Sequence, residues 1–217
     1  MRTDIIFDLD GTLLRTLPDI RHAINKALSD CGYPYRYSLK ESRLLIGNGA
    51  DTLVRRALRE KGDDEEAFAA LKAKYMPYYA AMQNDHAKPY NGIKGVLSYL
   101  KDKGCRLFVC TNKPAKLARE VVEIHFGKLF EAVVGHEEGA PVKPDPTIVN
   151  SLLSAYSIKK EEALFVGDSA VDVDTARNAL LPCCLVKWGY GQYKKGLLEK
   201  ADYVISKPKE LIAIALR

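Results

Sequence analysis

Apolar and polar residues alternate along this chain in two different rhythms. Ile5-Ile6-Phe7 is an unbroken apolar run that stops at Asp8, which predicts a short buried strand over 4–8. From there to about residue 100 the rhythm is helical. Thr16-Leu17-Pro18-Asp19 reads as a helix start, with a capping threonine, an early proline and a first-turn acid. Ile20, Ala23, Ile24, Ala27 and Leu28 then recur at helical spacing, and Gly32 offers a stop. Ser38-Leu39-Lys40-Glu41 has capping-box spacing. Gly47-Asn48-Gly49 breaks the pattern, and Leu53, Ala57 and Leu58 resume it as far as Gly62. A further helix is predicted over about 64–82, with a kink at Pro77.

From Pro89 onward helices and strands alternate. Ile93, Val96, Leu97 and Leu100 form a helix face closed by Gly104, and Arg106–Cys110 is a strand. A helix from Pro114 to about His125 precedes the short strand Ala132–Val134. A helix from Asp145 to about Tyr156 precedes the strand Ala163–Val166, and Val171–Asn178 is helical. Cys183–Val186 and Tyr203–Ile205 are the last strands, and a helix follows Pro208. Such alternation predicts an α/β fold with a doubly wound parallel sheet, covered on both faces. The helical block over 15–85 is then a cap domain inserted after the first strand. The core is expected from 1–14 and 86–217, with hinges near 14–17 and 85–90.

Composition narrows the class without changing this picture. The 217 residues are 47% hydrophobic and 28% charged, enough apolar material for a sizeable core. The net charge of +5 is scattered rather than striped, which suits small anionic ligands and argues against nucleic acid. Five cysteines, an odd number with no Cys-x-x-Cys pair, disfavour a disulfide framework or a zinc site. Cys105, Cys110, Cys183 and Cys184 lie in or beside apolar runs and read as small buried hydrophobes. The first apolar run is too short for a signal peptide, and no segment approaches the ~20 apolar residues of a membrane span. A cytoplasmic protein with no membrane partner is expected.

Ligands of such sheets bind beyond the carboxyl ends of the strands. Asp8 and Asp10 follow the first strand, and Thr111-Asn112-Lys113 follows Arg106–Cys110. A loop after the Val133 strand carries Lys143-Pro144-Asp145-Pro146. Gly167-Asp168-Ser169 follows Ala163–Val166, with Asp172 one helical turn further on. Asp8, Asp10 and Asp168 can hold a hard divalent cation, Mg2+, with Asp172 directly or through a water. Lys143 supplies positive charge, Thr111 a hydroxyl and Asn112 a backbone N–H. That set suits a phosphoryl group, with cations on its oxygens, donors around it and a carboxylate to attack phosphorus.

Asp8-Leu9-Asp10-Gly11-Thr12, Thr111, Lys143 and Gly167-Asp168 with Asp172 resemble, in order and spacing, the four motifs of the haloacid dehalogenase superfamily of phosphohydrolases. The resemblance covers essentially the whole chain and extends to the phosphoglycolate phosphatases in "IGNGADTLVRRAL" (46–58), "CTNKP" (110–114) and "KPDP" (143–146). Leu180-Leu181 departs from the glycine usual in that family. The resemblance implies a Rossmann-like core and a small phosphorylated metabolite as substrate, 2-phosphoglycolate above others. It implies Asp8 as the nucleophile that becomes an aspartyl phosphate, and Asp10 as acid and then base. It also implies that Thr111 and Lys143 hold phosphoryl oxygens, and that Mg2+ is bound by Asp8, the Asp10 carbonyl and Asp168.

Rival readings stay open at this level. A sugar-phosphate mutase and a pyrophosphatase share the expected fold, and a phospho-aspartate switch would use similar groups without turnover. The inserted cap and the early position of Asp8 speak against the switch. A calcium loop is disfavoured because Leu13 stands where glycine is needed and Asp19 replaces the closing glutamate. Asp172 also suits a helix first turn, Thr111 a helix cap and Lys143 a solvated loop. Gly47, Asn48 and Gly49 either end one helix and cap the next, or present N–H groups to a substrate carboxylate. Arg55, Arg56 and Arg59 read as a solvated face, and Trp188 as structural or at a site rim. His86, His125 and His136 show no metal-ligand spacing in sequence. Monomer and homodimer are both compatible with the chain.

Overall fold

The computed structural model describes residues 2–217. The strands in chain order are β1 (Asp4–Phe7), β2 (Leu14–Arg15), β3 (Lys88–Pro89), β4 (Arg106–Pro114), β5 (Ala132–His136), β6 (Ala163–Gly167), β7 (Cys183–Val186) and β8 (Tyr203–Ile205). The helices are α1 (Leu17–Asp30), α2 (Leu39–Ser42), α3 (Gly49–Ala57), α4 (Glu65–Met82), α5 (Ile93–Asp102), α6 (Ala115–Phe126), α7 (Thr147–Ala155), α8 (Ala170–Asn178), α9 (Lys195–Leu198) and α10 (Glu210–Ala215). Two compact units result: the chain up to Leu14 with Pro89–Arg217, and Arg15–Lys88.

The first unit is built on a parallel sheet of order β5-β4-β1-β6-β7-β8. Strict alternation along each strand explains its burial on both faces. Ile5, Phe7, Leu107, Val109, Leu164, Val166, Cys184 and Val186 enter one apolar cluster. Ile6, Phe108, Cys110, Phe165, Cys183 and Leu185 enter the other. Leaving β1, the chain builds β4 and β5 on one side and β6, β7 and β8 on the other. The winding reverses around β1, which opens a crevice at its carboxyl end.

The sheet and its links differ from the sequence expectation in detail. β4 does not stop at Cys110; it runs through Thr111, Asn112 and Lys113 to Pro114, with a shift in register after Cys110. The extension follows from β5, which itself reaches His136, and from the close approach of the two strands at Gly135. A Cβ on Gly135 would lie 2.6 Å from the Lys113 carbonyl oxygen. The two-residue strands β2 and β3 pair with each other where the chain passes between the units; they are too short to leave a periodic signal.

The second unit is helical. α1 starts after Thr16 with Pro18 in its first turn, but the expected threonine cap is not made: Thr16 itself has helical backbone angles and its side chain accepts no cap hydrogen bond. The Ser38 capping box of α2 is formed in both directions. α3 ends at Ala57, short of Gly62, and a 3-10 turn takes over. Asp64 caps α4 by accepting from the Glu66 and Ala67 N–H groups. Buried Asn25 joins α1 to the next segment, its side chain donating to the Tyr37 carbonyl at 2.8 Å and accepting from the Tyr37 N–H at 2.7 Å.

α8 ends in a Schellman motif, in which Leu181 N–H donates to the Ala176 carbonyl and Leu180 N–H to that of Arg177. Leu180 holds the left-handed position with φ +58 and is 75% exposed. A leucine there carries about 1–2 kcal/mol of steric strain that glycine lacks, offset in part by the greater freedom of glycine in the unfolded chain. Leu180→Gly is expected to raise stability by about 0.5–1 kcal/mol, a Tm gain of roughly 1–4 °C by calorimetry. An unchanged or lower Tm would contradict the strain assignment.

Candidate active site

β1 delivers Asp8 to the carboxyl rim of the sheet. The Asp8 N–H donates to the Val166 carbonyl at 2.9 Å, so the β-ladder itself fixes where this carboxylate begins. Lys143 arrives from the loop after β5 and is 1% exposed. Its ammonium donates to Asp8 Oδ1 at 2.8 Å, to Asp172 Oδ1 at 2.8 Å and to the Cys110 carbonyl at 3.0 Å. All three ammonium protons are thereby used.

Asn112 fixes the backbone of that lysine. Its side-chain amide donates to the Lys143 carbonyl at 3.0 Å and accepts from the Lys143 N–H at 2.8 Å. The sequence suggests Asn112 only as a backbone donor; its side chain is the anchor of the loop. Thr111 is buried beside it, and its hydroxyl oxygen accepts from the Lys113 N–H at 3.2 Å. Asp172 closes a capping box at the start of α8 through Oδ2, which accepts from Ser169 N–H and Oγ, and it meets Lys143 through Oδ1. Helix cap and site carboxylate, alternatives in the sequence, are one residue here.

Asp168 is held by residues that the sequence leaves unassigned. Its Oδ2 accepts from the Tyr190 N–H at 2.6 Å and the Gly191 N–H at 3.2 Å, and its Oδ1 from the Thr12 hydroxyl at 3.1 Å. Trp188 Nε1 donates to the Thr12 carbonyl at 3.0 Å and ties the loop to the first strand end. The loop can close only because Gly189 and Gly191 lack side chains. A Cβ on Gly189 would lie 2.3 Å from Asp168 Oδ2, and one on Gly191 would lie 2.0 Å from the Asp168 carbonyl. "WGYG" was the available signal, and nothing local says that its glycines face a carboxylate.

Asp8, Asp168 and Asp172 each place one carboxylate oxygen within 4.8 Å of the others. The Asp10 carboxylate is not in that group. Asp10 forms an isolated bridge with Leu14, and its Oδ1 is buried without a hydrogen-bond partner. An unpartnered buried oxygen suits a carboxyl group that exchanges a proton with a ligand.

Three buried carboxylates face one ammonium, leaving two negative charges uncompensated if all ionise. Burial raises Asp8 well above the ordinary carboxylate range against the pull of Lys143, and Asp172 and Asp168 add to the rise. Burial, reinforced by Asp172, lifts Asp168 to about 7 in spite of its hydrogen bonds. Burial opposes the charge on Lys143, but Asp172 and Asp8 outweigh it and hold its proton more tightly than in a free lysine. A divalent cation with oxygen preference fits this donor set in charge and chemistry. The same burial pushes the Cys110 thiol up to about 12, so it is an inert neighbour.

The Gly47–Gly49 turn lies in the second unit. Gly47 and Gly49 have φ +112 and +84, conformations that glycine adopts without strain. Asn48 sits at the cap position of α3, but its side chain does not cap the helix. It accepts instead from Arg56, which also donates to the Leu45 and Ile46 carbonyls at 3.2 Å. The three arginines do stand on a solvated face, Arg56 and Arg59 exposed and Arg55 half-buried, and they brace it locally: Arg55 binds the Gly62 carbonyl and Glu65, and Arg59 lies over the Tyr35 ring.

The haloacid dehalogenase-like hydrolase family profile matches residues 5–186. A phosphoglycolate phosphatase of Cereibacter sphaeroides is 37% identical over 190 residues, 86% of this chain and 85% of its own. One from Aliivibrio fischeri is 35% identical over 216 residues, 97% of this chain and 95% of its own. Among solved structures, a predicted phosphoglycolate phosphatase from Haemophilus somnus superposes with a TM-score of 0.89 at 30% identity, covering 98% of this chain and 97% of that one. No helix among the described residues is long and apolar enough to cross a membrane. The chain belongs to the haloacid dehalogenase-like hydrolases and is a phosphoric monoester hydrolase.

Proposed function

We propose that this protein is a cytoplasmic, Mg2+-dependent phosphatase of 2-phosphoglycolate that works through an aspartyl phosphate on Asp8. The observation that carries the reading is the Lys143 ammonium between Asp8 and Asp172, beside Asp168 at the carboxyl rim of the sheet. Asp8 attacks phosphorus, and the leaving oxygen takes its proton from Asp10. Asp10 then takes a proton from the water that hydrolyses the acyl phosphate, regenerating Asp8 and releasing inorganic phosphate. Lys143 and Thr111 bind phosphoryl oxygens, and Lys143 keeps the Asp8 oxygen oriented. Asp8 and Asp168, with the Asp10 carbonyl, would hold Mg2+, and Asp172 would support it through Lys143 or directly. The cation supplies charge stabilisation for the transferring phosphoryl group. First-turn N–H groups of α3, in the turn that Arg56 braces, are assigned to the substrate carboxylate. The relatives named phosphoglycolate phosphatases support that choice of substrate.

Phosphate release from a panel of metabolites, read as kcat/KM, is expected to rank 2-phosphoglycolate above hexose phosphates, nucleoside monophosphates and pyrophosphate. A competitor better by about tenfold, or 1.4 kcal/mol, would replace the substrate while leaving the phosphatase. Asp8→Asn should fold normally and lose turnover, and substantial residual activity in the pure variant would remove Asp8 as the nucleophile.

Asn112→Ala should strand the buried N–H and carbonyl of Lys143, at about 1–3 kcal/mol for each unsatisfied group. Both Tm and kcat are expected to fall, and a variant of full activity would show that Lys143 needs no such anchor.

Asp168 sets a pH dependence. Its folded-state pKa of about 7 lies above the ordinary 3.8, so the folded protein keeps a proton that the unfolded chain releases. The metal-free protein therefore loses stability as pH rises from the lower value through the higher one. A cation that binds the ionised form competes with that proton. The Tm increment from added Mg2+ should be larger at about pH 8 than at about pH 5, and an increment constant across this window would exclude Asp168 as a ligand.

A further inference from the structure

The second unit contains a cluster that the phosphatase reading does not use. Asp19 and His22 lie on one face of α1, one turn apart, where the chain enters the unit. His86 lies just before β3, where the chain leaves it. The three side chains place a carboxylate oxygen and two ring nitrogens within 4.8 Å of one another. We propose that Asp19, His22 and His86 form a second metal site, selective for a borderline divalent cation such as Zn2+, Co2+ or Ni2+, that clasps the two ends of the helical unit.

The geometry supports a built site. Asp19 is 0% exposed and fully buried carboxylates need partners. Its partner is His86, whose N–H donates to Asp19 Oδ1 at 2.9 Å and whose Nδ1 lies 2.8 Å from the same oxygen. That places a second-residue imidazole on the carboxylate, although 67 positions separate them in sequence. The His22 and His86 rings meet edge to face at 4.9 Å. The His86 side chain is 52% exposed, which leaves a path for an ion and room for water ligands. Two imidazoles with one carboxylate suit Zn2+, Co2+ or Ni2+ better than Mg2+, which prefers oxygen alone. The two cation sites would then differ in chemistry, one of oxygen ligands alone and one of mixed nitrogen and oxygen.

Arg21 makes the site conditional. Its guanidinium lies 2.6 Å from His22 Nε2 and can only donate, so Nε2 is an acceptor and the ring proton sits on Nδ1. If Nε2 ligates the ion, Arg21 must leave it. If Nδ1 ligates, the proton must move to Nε2, where Arg21 loses its acceptor. Either way Arg21 opposes the ion, and its removal should tighten binding.

The test uses the untagged full chain in excess Mg2+, which saturates the oxygen site, with Co2+ as the probe. Calorimetry should find a single further equivalent of Co2+, with a visible d–d band and a raised Tm. His86→Ala, at a half-exposed position, and His22→Ala should each weaken Co2+ binding beyond the roughly 10–100-fold loss typical of outer-shell substitutions. Arg21→Gln should strengthen it. No Co2+ binding in excess Mg2+, or equal affinity in the folded His86→Ala variant, would overturn the proposal. Loss of phosphatase activity in Asp8→Asn with Co2+ binding intact would separate the two sites.

Discussion

Everything at the carboxyl rim of the sheet depends on one buried ammonium. Asp8 and Asp172 are both buried, and each would be costly to ionise alone. Lys143 bonds to both, so the two carboxylates share a counter-ion that cannot swing away. The compensation is incomplete, since Asp168 is buried in the same place. Burial, with that shortfall added to it, explains why Asp8 and Asp168 hold protons so high above the carboxylate range, and the shortfall is why a divalent cation suits the site. Part of the folding free energy is thus held in a charge arrangement that only a ligand completes.

Rigid backbone geometry keeps this arrangement in place. The sheet fixes Asp8 through an ordinary ladder bond, the start of α8 fixes Asp172 through its capping box, and the Asn112 amide fixes the Lys143 backbone. Asp168 is held by two loop N–H groups and one hydroxyl. Asp8, Lys143, Asp168 and Asp172 are therefore each positioned, with few rotamers left to order when a substrate arrives. The Asn25–Tyr37 pair repeats the asparagine device in the helical unit, where it braces a segment that has no secondary structure of its own.

Glycine sets the size of the site. Gly189 and Gly191 pass so close to Asp168 that any side chain would collide with it. At the far end of α8 the opposite choice was made, and Leu180 takes a left-handed conformation that glycine would hold without strain. The first two glycines are spatial requirements, whereas Leu180 is a tolerated cost at an exposed helix end.

The sequence by itself determined the parallel α/β core, because apolar runs of strand length alternate with helical periodicity and both are local signals. It also determined which residues stand at the rim, since Asp8, Thr111 and Asp168 are polar groups set directly beyond apolar runs, where the run itself gives no structural reason for them. Tertiary structure alone decided who holds whom. Asn112 reaches Lys143 across 31 positions, Tyr190 reaches Asp168 across 22 and His86 reaches Asp19 across 67. It also carried β4 past Cys110, because a neighbouring strand lay there to pair with. Periodicity reports only which face of an element is buried, whereas a hydrogen bond between distant residues exists only once the sheet has brought their elements side by side.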